Sequence, residues 1–159
     1  MFPKGWVLPY WVAQFAGAIL AALFLQGMFG NVAAGGNYPI NKPGGDWRAF
    51  VMETLLTAIL VSVILHTATG SRSIGHNAAL AVGATIALLG LFASPISGSS
   101  MNPARTLGPD IVAGNFTGWW CYVAGEALGA AIAVALIGLV RGAPDKAEIQ
   151  AAEGGGLRR

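Results

Sequence analysis

Nine residues, Ser99-Ser100-Met101-Asn102-Pro103-Ala104-Arg105-Thr106-Leu107, constrain the fold more than any other part of this chain. Asn followed by Pro reads as a helix start. The Asn side chain caps unpaired N–H groups, and Pro suits the first helical position, where no N–H partner is needed. The helix so opened has a short apolar stretch, Thr106 to Val112, far below the ~20 residues that cross a bilayer. It nevertheless stands between two long apolar segments. A helix starting partway through a membrane turns its positive dipole end and its unpaired N–H groups into the interior. Such backbone is tolerated at membrane depth only where it lines a watery cavity or is buried in protein. The chain is therefore expected to contribute to a pore, and to carry only part of one.

Charge is scarce enough to support a membrane setting. Of 159 residues, 55% are hydrophobic and 10% charged, against about 25% charged in an average soluble domain. Between Met1 and Asn31 only Lys4 is charged, and between Ser73 and Val140 only Arg105, Asp110 and Glu126. A soluble core of this size could not build a solvated face from so few. Four segments are long enough to span: about 10–29, 49–68, 77–94 and 119–140. The expected class is thus an all-α membrane protein with four transmembrane helices and one re-entrant half-helix at about 103–112. Residues 1–140 form the membrane domain. Residues 141–159, polar and with a triple Gly, are expected to be a disordered tail.

Orientation follows from Lys and Arg. Lys4, Arg72, Arg141, Lys146, Arg158 and Arg159 fall on one side if four spans alternate; Lys42 and Arg48 fall on the other. That bias places both termini in the cytoplasm. No signal peptide precedes the first span. The net charge of +2 reflects this bias and not a nucleic-acid footprint. The lone Cys121 excludes an intrachain disulfide. Small residues on the first and last spans, Gly17 with Ala21 and Gly125 with Gly129, offer faces for close helix approach.

Pro95-Ile-Ser-Gly-Ser-Ser-Met-Asn-Pro-Ala-Arg-Thr-Leu-Gly-Pro109 closely resembles the second signature loop of the aquaporin (major intrinsic protein) family. The likeness extends over nearly all the chain before the tail. Tyr10–Ala18 resembles that family's third span, Ala49–Thr57 its fourth, Leu80–Gly90 its fifth and Phe116–Ala131 its sixth. The family has six spans in two inverted halves, each with an Asn-Pro-Ala half-helix. Here the counterparts of the first two spans and the first Asn-Pro-Ala are not seen, so the fold is expected to be partial. Truncation, a frameshift or a misplaced start would each produce that pattern. The chain as written is then expected to be inactive alone.

The resemblance implies roles for particular residues. Asn102 donates from its carboxamide to a passing water or hydroxyl. Pro103 and Ala104 shape the turn and admit close packing. Arg105 lines the narrowest ring, donates to solute oxygens and repels cations. Gly90 and Ser99 occupy two other ring positions. Their small size leaves a wider, more polar opening than the His found at the Gly90 position in many water-selective members. Glu53 is expected to accept hydrogen bonds from the re-entrant backbone and hold the pore wall. Thr106 stands where glycerol-type members carry Asp, and Val123 where water-type members carry Trp. This combination resembles the plant nodulin-like branch and its bacterial relatives, which pass glycerol and boric or arsenous-type acids.

The implied function is a passive channel, or the C-terminal portion of one, for water and small uncharged solutes such as glycerol or metalloid acids in the cell (inner) membrane, without metal or cofactor, and a homotetramer if the complete fold is present. The alternative is a truncated, non-conducting membrane remnant. An ion-coupled transporter would need carboxylates facing a cavity, and only Glu53 and Glu126 are on offer. No nucleophile–base pair or phosphate loop points to an enzyme. Two acidic residues fit the family pattern poorly. Glu126 stands where the family has Pro, and is expected either near the outer end in solvent or paired across a subunit interface. Asp110 is expected to cap loop N–H groups or to attract solutes at the mouth. His66 and His76 read as ordinary surface histidines.

Overall fold

The computed structural model describes residues 4–30, 45–67 and 77–141. After a 3-10 turn at Lys4–Trp6, five helices follow: α1 (Val7–Phe29), α2 (Gly45–Thr67), α3 (Asn77–Ser97), α4 (Pro103–Ala113) and α5 (Trp119–Arg141). Four of them are long and apolar enough to cross a membrane. At 1.5 Å per residue, a helix of 23 residues such as α1 reaches about 34 Å, enough for a hydrocarbon core of about 30 Å. With 11 residues α4 cannot. The lysines and arginines that set the expected orientation, apart from Lys4, Arg48 and Arg141, lie outside the described residues, as do His76 and the tail.

Helix ends follow local chemistry. Pro9 sits in the first turn of α1, where its missing N–H would have had no partner. The third span, expected over about 77–94, is three residues longer than that. Helix α3 runs on to Ser97 and ends at Gly98, whose N–H reaches the Ser94 carbonyl at 3.0 Å and whose φ is +84°. A left-handed glycine terminates a helix without steric cost. Pro in the last turn deletes one bond of the ladder and leaves the rest standing.

The core is a pair, α2 against α5. Buried residues of α2 (Ala49, Glu53, Leu56, Thr57 and Leu60) recur at helical spacing on one side. On α5 the matching side carries Cys121, Tyr122, Gly125, Glu126, Gly129 and Ala133. Gly125 lies against the Phe50 carbonyl, where an added Cβ would stand 2.7 Å away, and Gly129 lies against the Thr54 carbonyl. The small-residue face on α5 therefore serves packing within one chain. The other pair behaves differently: a Cβ on Gly17 would meet nothing within 4 Å, and Ala21 is exposed.

Helix α3 joins this pair through Leu89 and Ala93, which pack on Leu56 and Leu60, with Met101 beside them. Helix α1 stands apart, with Ala22 its one buried residue. It meets α4, where Gly108 faces Ala18. Apolar side chains elsewhere, such as Leu23, Phe24, Leu88, Leu91 and Leu139, are exposed, as a lipid-facing surface requires. Hydroxyls of Thr54, Thr67, Thr85 and Ser94 fold back on carbonyls four residues earlier at 2.6–2.8 Å, so the apolar helices expose few unpaired donors.

Candidate functional site

The site is built on residues 98–102, which join α3 to α4. Here Gly98, Ser99 and Met101 have φ of +84°, +52° and +54°. For the two residues with side chains that conformation costs roughly 1–2 kcal/mol each. It also turns successive N–H groups toward one side, the arrangement that receives an anion.

The anion is Glu53 of α2, which is fully buried. Its Oε1 accepts from the Ser100 N–H at 3.0 Å and its Oε2 from the Met101 N–H at 2.8 Å. The Ser97 hydroxyl donates to Oε1 at 2.5 Å. The next N–H, that of Asn102, goes chiefly to a second buried carboxylate, Glu126 Oε1 on α5, at 2.8 Å, with Ser100 Oγ a longer second acceptor at 3.4 Å. Three consecutive peptide N–H groups are thus taken by two carboxylates from the two most tightly packed helices. Tyr122 adds a hydrogen bond from its hydroxyl to the Ser97 carbonyl at 2.5 Å.

Asn102 is the N-cap of α4. Its backbone is extended (φ −157°, ψ 117°), its Oδ1 accepts from the Ala104 N–H at 2.9 Å, and Pro103 takes the first helical position. Capping uses the side-chain oxygen, so the amide NH2 is what Asn102 can offer to another molecule. Arg105 follows one turn on, with Nη2 donating to the Gly98 carbonyl at 2.9 Å. The guanidinium is exposed and spans the mouth of the same loop that precedes it. At its far end α4 closes on Gly114, whose N–H bonds the Ile111 carbonyl at 3.3 Å while the Asn115 N–H bonds the Asp110 carbonyl at 3.0 Å.

Asn102, Ala104 and Arg105 border a cavity of about 590 Å³ between α4 and α1. Its opposite wall is Gln14, Ala18, Ala21, Ala22, Leu25 and Gln26. The polar groups converge from two helices: a carboxamide and a guanidinium from α4, two glutamine amides from α1. Small residues on α1 leave the space between them.

Gly90 and Ser99 lie elsewhere. The buried Ser99 hydroxyl points at the Leu89 carbonyl, at 3.5 Å, because a left-handed Ser99 turns its side chain back onto α3. Neither residue is among those lining the cavity. They remain neighbours of Arg105 through the chain, since Arg105 bonds Gly98 and Ser99 meets the residue before Gly90. A Cβ on Gly90 would meet nothing within 4 Å. Pro103 is exposed.

The settings of two acidic residues bear on their expected roles: Glu126 departs from both of its alternatives, and Asp110 from one of its two. Glu126 is 3% exposed and bonds this chain's own loop, so it is neither solvated at an outer end nor reserved for a neighbouring subunit. Asp110 is also buried, which removes it from any open mouth. Thr106 and Glu126, two of the departures from the family pattern, meet in one network: Thr106 Oγ1 is 2.6 Å from Ser100 Oγ and 3.5 Å from Glu126 Oε1. Sequence reasoning missed Glu126 as a partner of the loop and Gln26 as part of the wall. The usable signal was a carboxylate inside an apolar span, which must find donors.

Four apolar helices long enough to span and a half-helix with a polar cavity at its start define a multi-pass, all-α membrane protein. The family model described as Major intrinsic protein matches residues 1–137. The chain is 43% identical over 140 residues to "Aquaporin NIP1-3" of Oryza sativa subsp. japonica, covering 88% of this chain and 49% of that protein. It is 46% identical over 130 residues to "Aquaporin NIP1-1" of the same organism, covering 81% and 45%. It is 41% identical over 128 residues to "Aquaporin NIP2-2" of Zea mays, covering 80% and 43%. The chain belongs to the major intrinsic protein family and spans about half the length of the relatives it matches.

Proposed function

We propose that this chain forms a passive transmembrane channel, or the C-terminal portion of one, for water and small uncharged solutes such as glycerol or metalloid acids. The observation that carries this reading is the convergence of Asn102 and Arg105 on the cavity of about 590 Å³ at the start of α4. A water occupies about 30 Å³ in the liquid, so the space admits a polyol with its hydration. Asn102 donates to solute oxygens while Arg105 and the positive end of α4 repel cations. Pro103 and Ala104 set the turn that presents them. Gly90 and Ser99 act through the bulk they lack, leaving the approach wide, and Glu53 holds the loop in shape. The protein works in the cell (inner) membrane with both termini cytoplasmic, and as a homotetramer where the complete fold is present. The relatives' printed name, aquaporin, agrees with water as one permeant.

A second reading is a membrane remnant without the first Asn-Pro-Ala half, which inserts but does not conduct. It draws on the cavity's lining, which comes from α1, Gly30, Asn102 and α4 alone. Both readings meet in one experiment: proteoliposomes holding the 159-residue chain are shocked with a glycerol gradient and their reswelling is followed by light scattering. Faster reswelling than in empty vesicles supports the channel. Equal rates, with insertion verified by protease protection, support the remnant.

A further inference from the structure

Glu126 is an acidic side chain in the middle of an apolar span, and burying a charge there demands specific partners. Its Oε1 takes the Asn102 N–H at 2.8 Å and the Thr106 hydroxyl at 3.5 Å. Its Oε2 is buried without a hydrogen-bond partner among the described residues.

The Asn102 N–H belongs to a helix N-cap. In many helices that N–H is bonded by a Glu or Gln three residues on, reaching back in a capping box. In α4 the residue three on is Arg105, a cation that cannot accept. Its guanidinium is used on the Gly98 carbonyl and at the cavity. The box is therefore half complete within α4: Asn102 Oδ1 caps Ala104, but Pro103, Ala104 and Arg105 carry no acceptor, and the nearby Ser100 Oγ reaches the Asn102 N–H only at 3.4 Å, against 2.8 Å for Glu126.

We propose that Glu126 completes this capping box from α5 and is the positioning residue for Asn102. A carboxylate accepting from the N-cap N–H fixes the peptide plane ahead of Asn102 and so the direction in which its carboxamide leaves the backbone. It also faces the positive end of α4, where an anion is favoured. Glu53 does the same for the two preceding amides, so each carboxylate has its own share of the loop. That Asn102 meets the solute rests on the function proposed above; that Glu126 holds it does not.

The test uses amide hydrogen exchange by NMR on the full chain in micelles, comparing wild type with Glu126→Met and Glu126→Gln. No flux is involved, so a chain that fails to conduct in the vesicle assay still answers the question. Met nearly matches Glu in volume but cannot accept, and exchange at Asn102 is expected to accelerate roughly tenfold or more. Ser100 and Met101, held by Glu53, keep their rates. Gln retains a carbonyl acceptor and is expected to restore the Asn102 rate to within about threefold of wild type. An unchanged Asn102 rate in Glu126→Met overturns the proposal. So does acceleration spread evenly over Ser100, Met101 and α5, which marks a packing role alone. If Glu126→Met does not fold, Glu126→Gln decides by itself: wild-type protection at Asn102 supports the proposal, and a tenfold loss overturns it.

Discussion

Gly108 of α4 and Ala18 of α1 touch so closely that a methyl group on the glycine would stand 2.6 Å from the Ala18 Cβ and 2.9 Å from its backbone carbon. This contact is where the otherwise little-buried α1 grips the half-helix. Gly108→Ala is expected to destabilise the protein by about 1–3 kcal/mol through overpacking. Gly138→Ala is the control, because its Cβ would meet nothing within 4 Å; there the better helix propensity of Ala is worth up to about 1 kcal/mol. Unfolding in mixed micelles, followed by circular dichroism, separates the two. A Gly108→Ala protein as stable as wild type would refute the contact.

Removing the Glu53 side chain leaves the Ser100 and Met101 N–H groups buried and unpaired. At about 1–3 kcal/mol each, Glu53→Ala is expected to cost roughly 2–6 kcal/mol. Glu53→Gln retains one acceptor and is expected to fall between wild type and Glu53→Ala in the same unfolding assay. Equal stability of Glu53→Gln and Glu53→Ala would show that one neutral acceptor cannot stand in for the carboxylate's two oxygens.

Arg105 joins a fixed positive charge to a hydrogen bond with the Gly98 carbonyl. Arg105→Ala is expected to raise cation leak through conducting proteoliposomes by roughly tenfold or more. Repulsion of about 4 kcal/mol between unit charges 4 Å apart, at an effective dielectric of 20, leaves ample margin. A pH-sensitive dye inside the vesicles reads the leak. An unaltered leak would mean that the half-helix dipole alone excludes cations.

Gly90 has open space beside it, so Gly90→Leu should fold normally. If this position borders the solute path, glycerol permeation falls roughly tenfold relative to water, the effect of about 1.4 kcal/mol on a barrier. An unchanged ratio of the two rates would place Gly90 off the solute path.

The spans and the half-helix were legible because their signals are local: apolar length, and an Asn-Pro pair that starts a helix. The end of α3 was legible only to within three residues, since Pro95 is the louder residue and Gly98 the operative one. Whether Pro stops a helix depends on how many bonds remain to be made beyond it. The setting of Glu126 was hidden for a different reason. Its partner, Asn102, lies 24 residues away in sequence, and only the packing of α4 and its preceding loop against α5 brings them together. Ser99 could be placed by family register, but not the turn of its side chain, which follows from a φ of +52°.

Glycines 125 and 129 permit α5 to approach α2 backbone to backbone. Glu53 rides on one of these helices and Glu126 on the other, and between them they suspend residues 100–102. A slip of α5 along α2 by one turn, about 5.4 Å, would pull the two supports apart. Asn102 would then shift along the membrane normal or lose a support. The depth of Asn102 in the bilayer is thus set by the absence of two side chains on a helix that does not border the cavity.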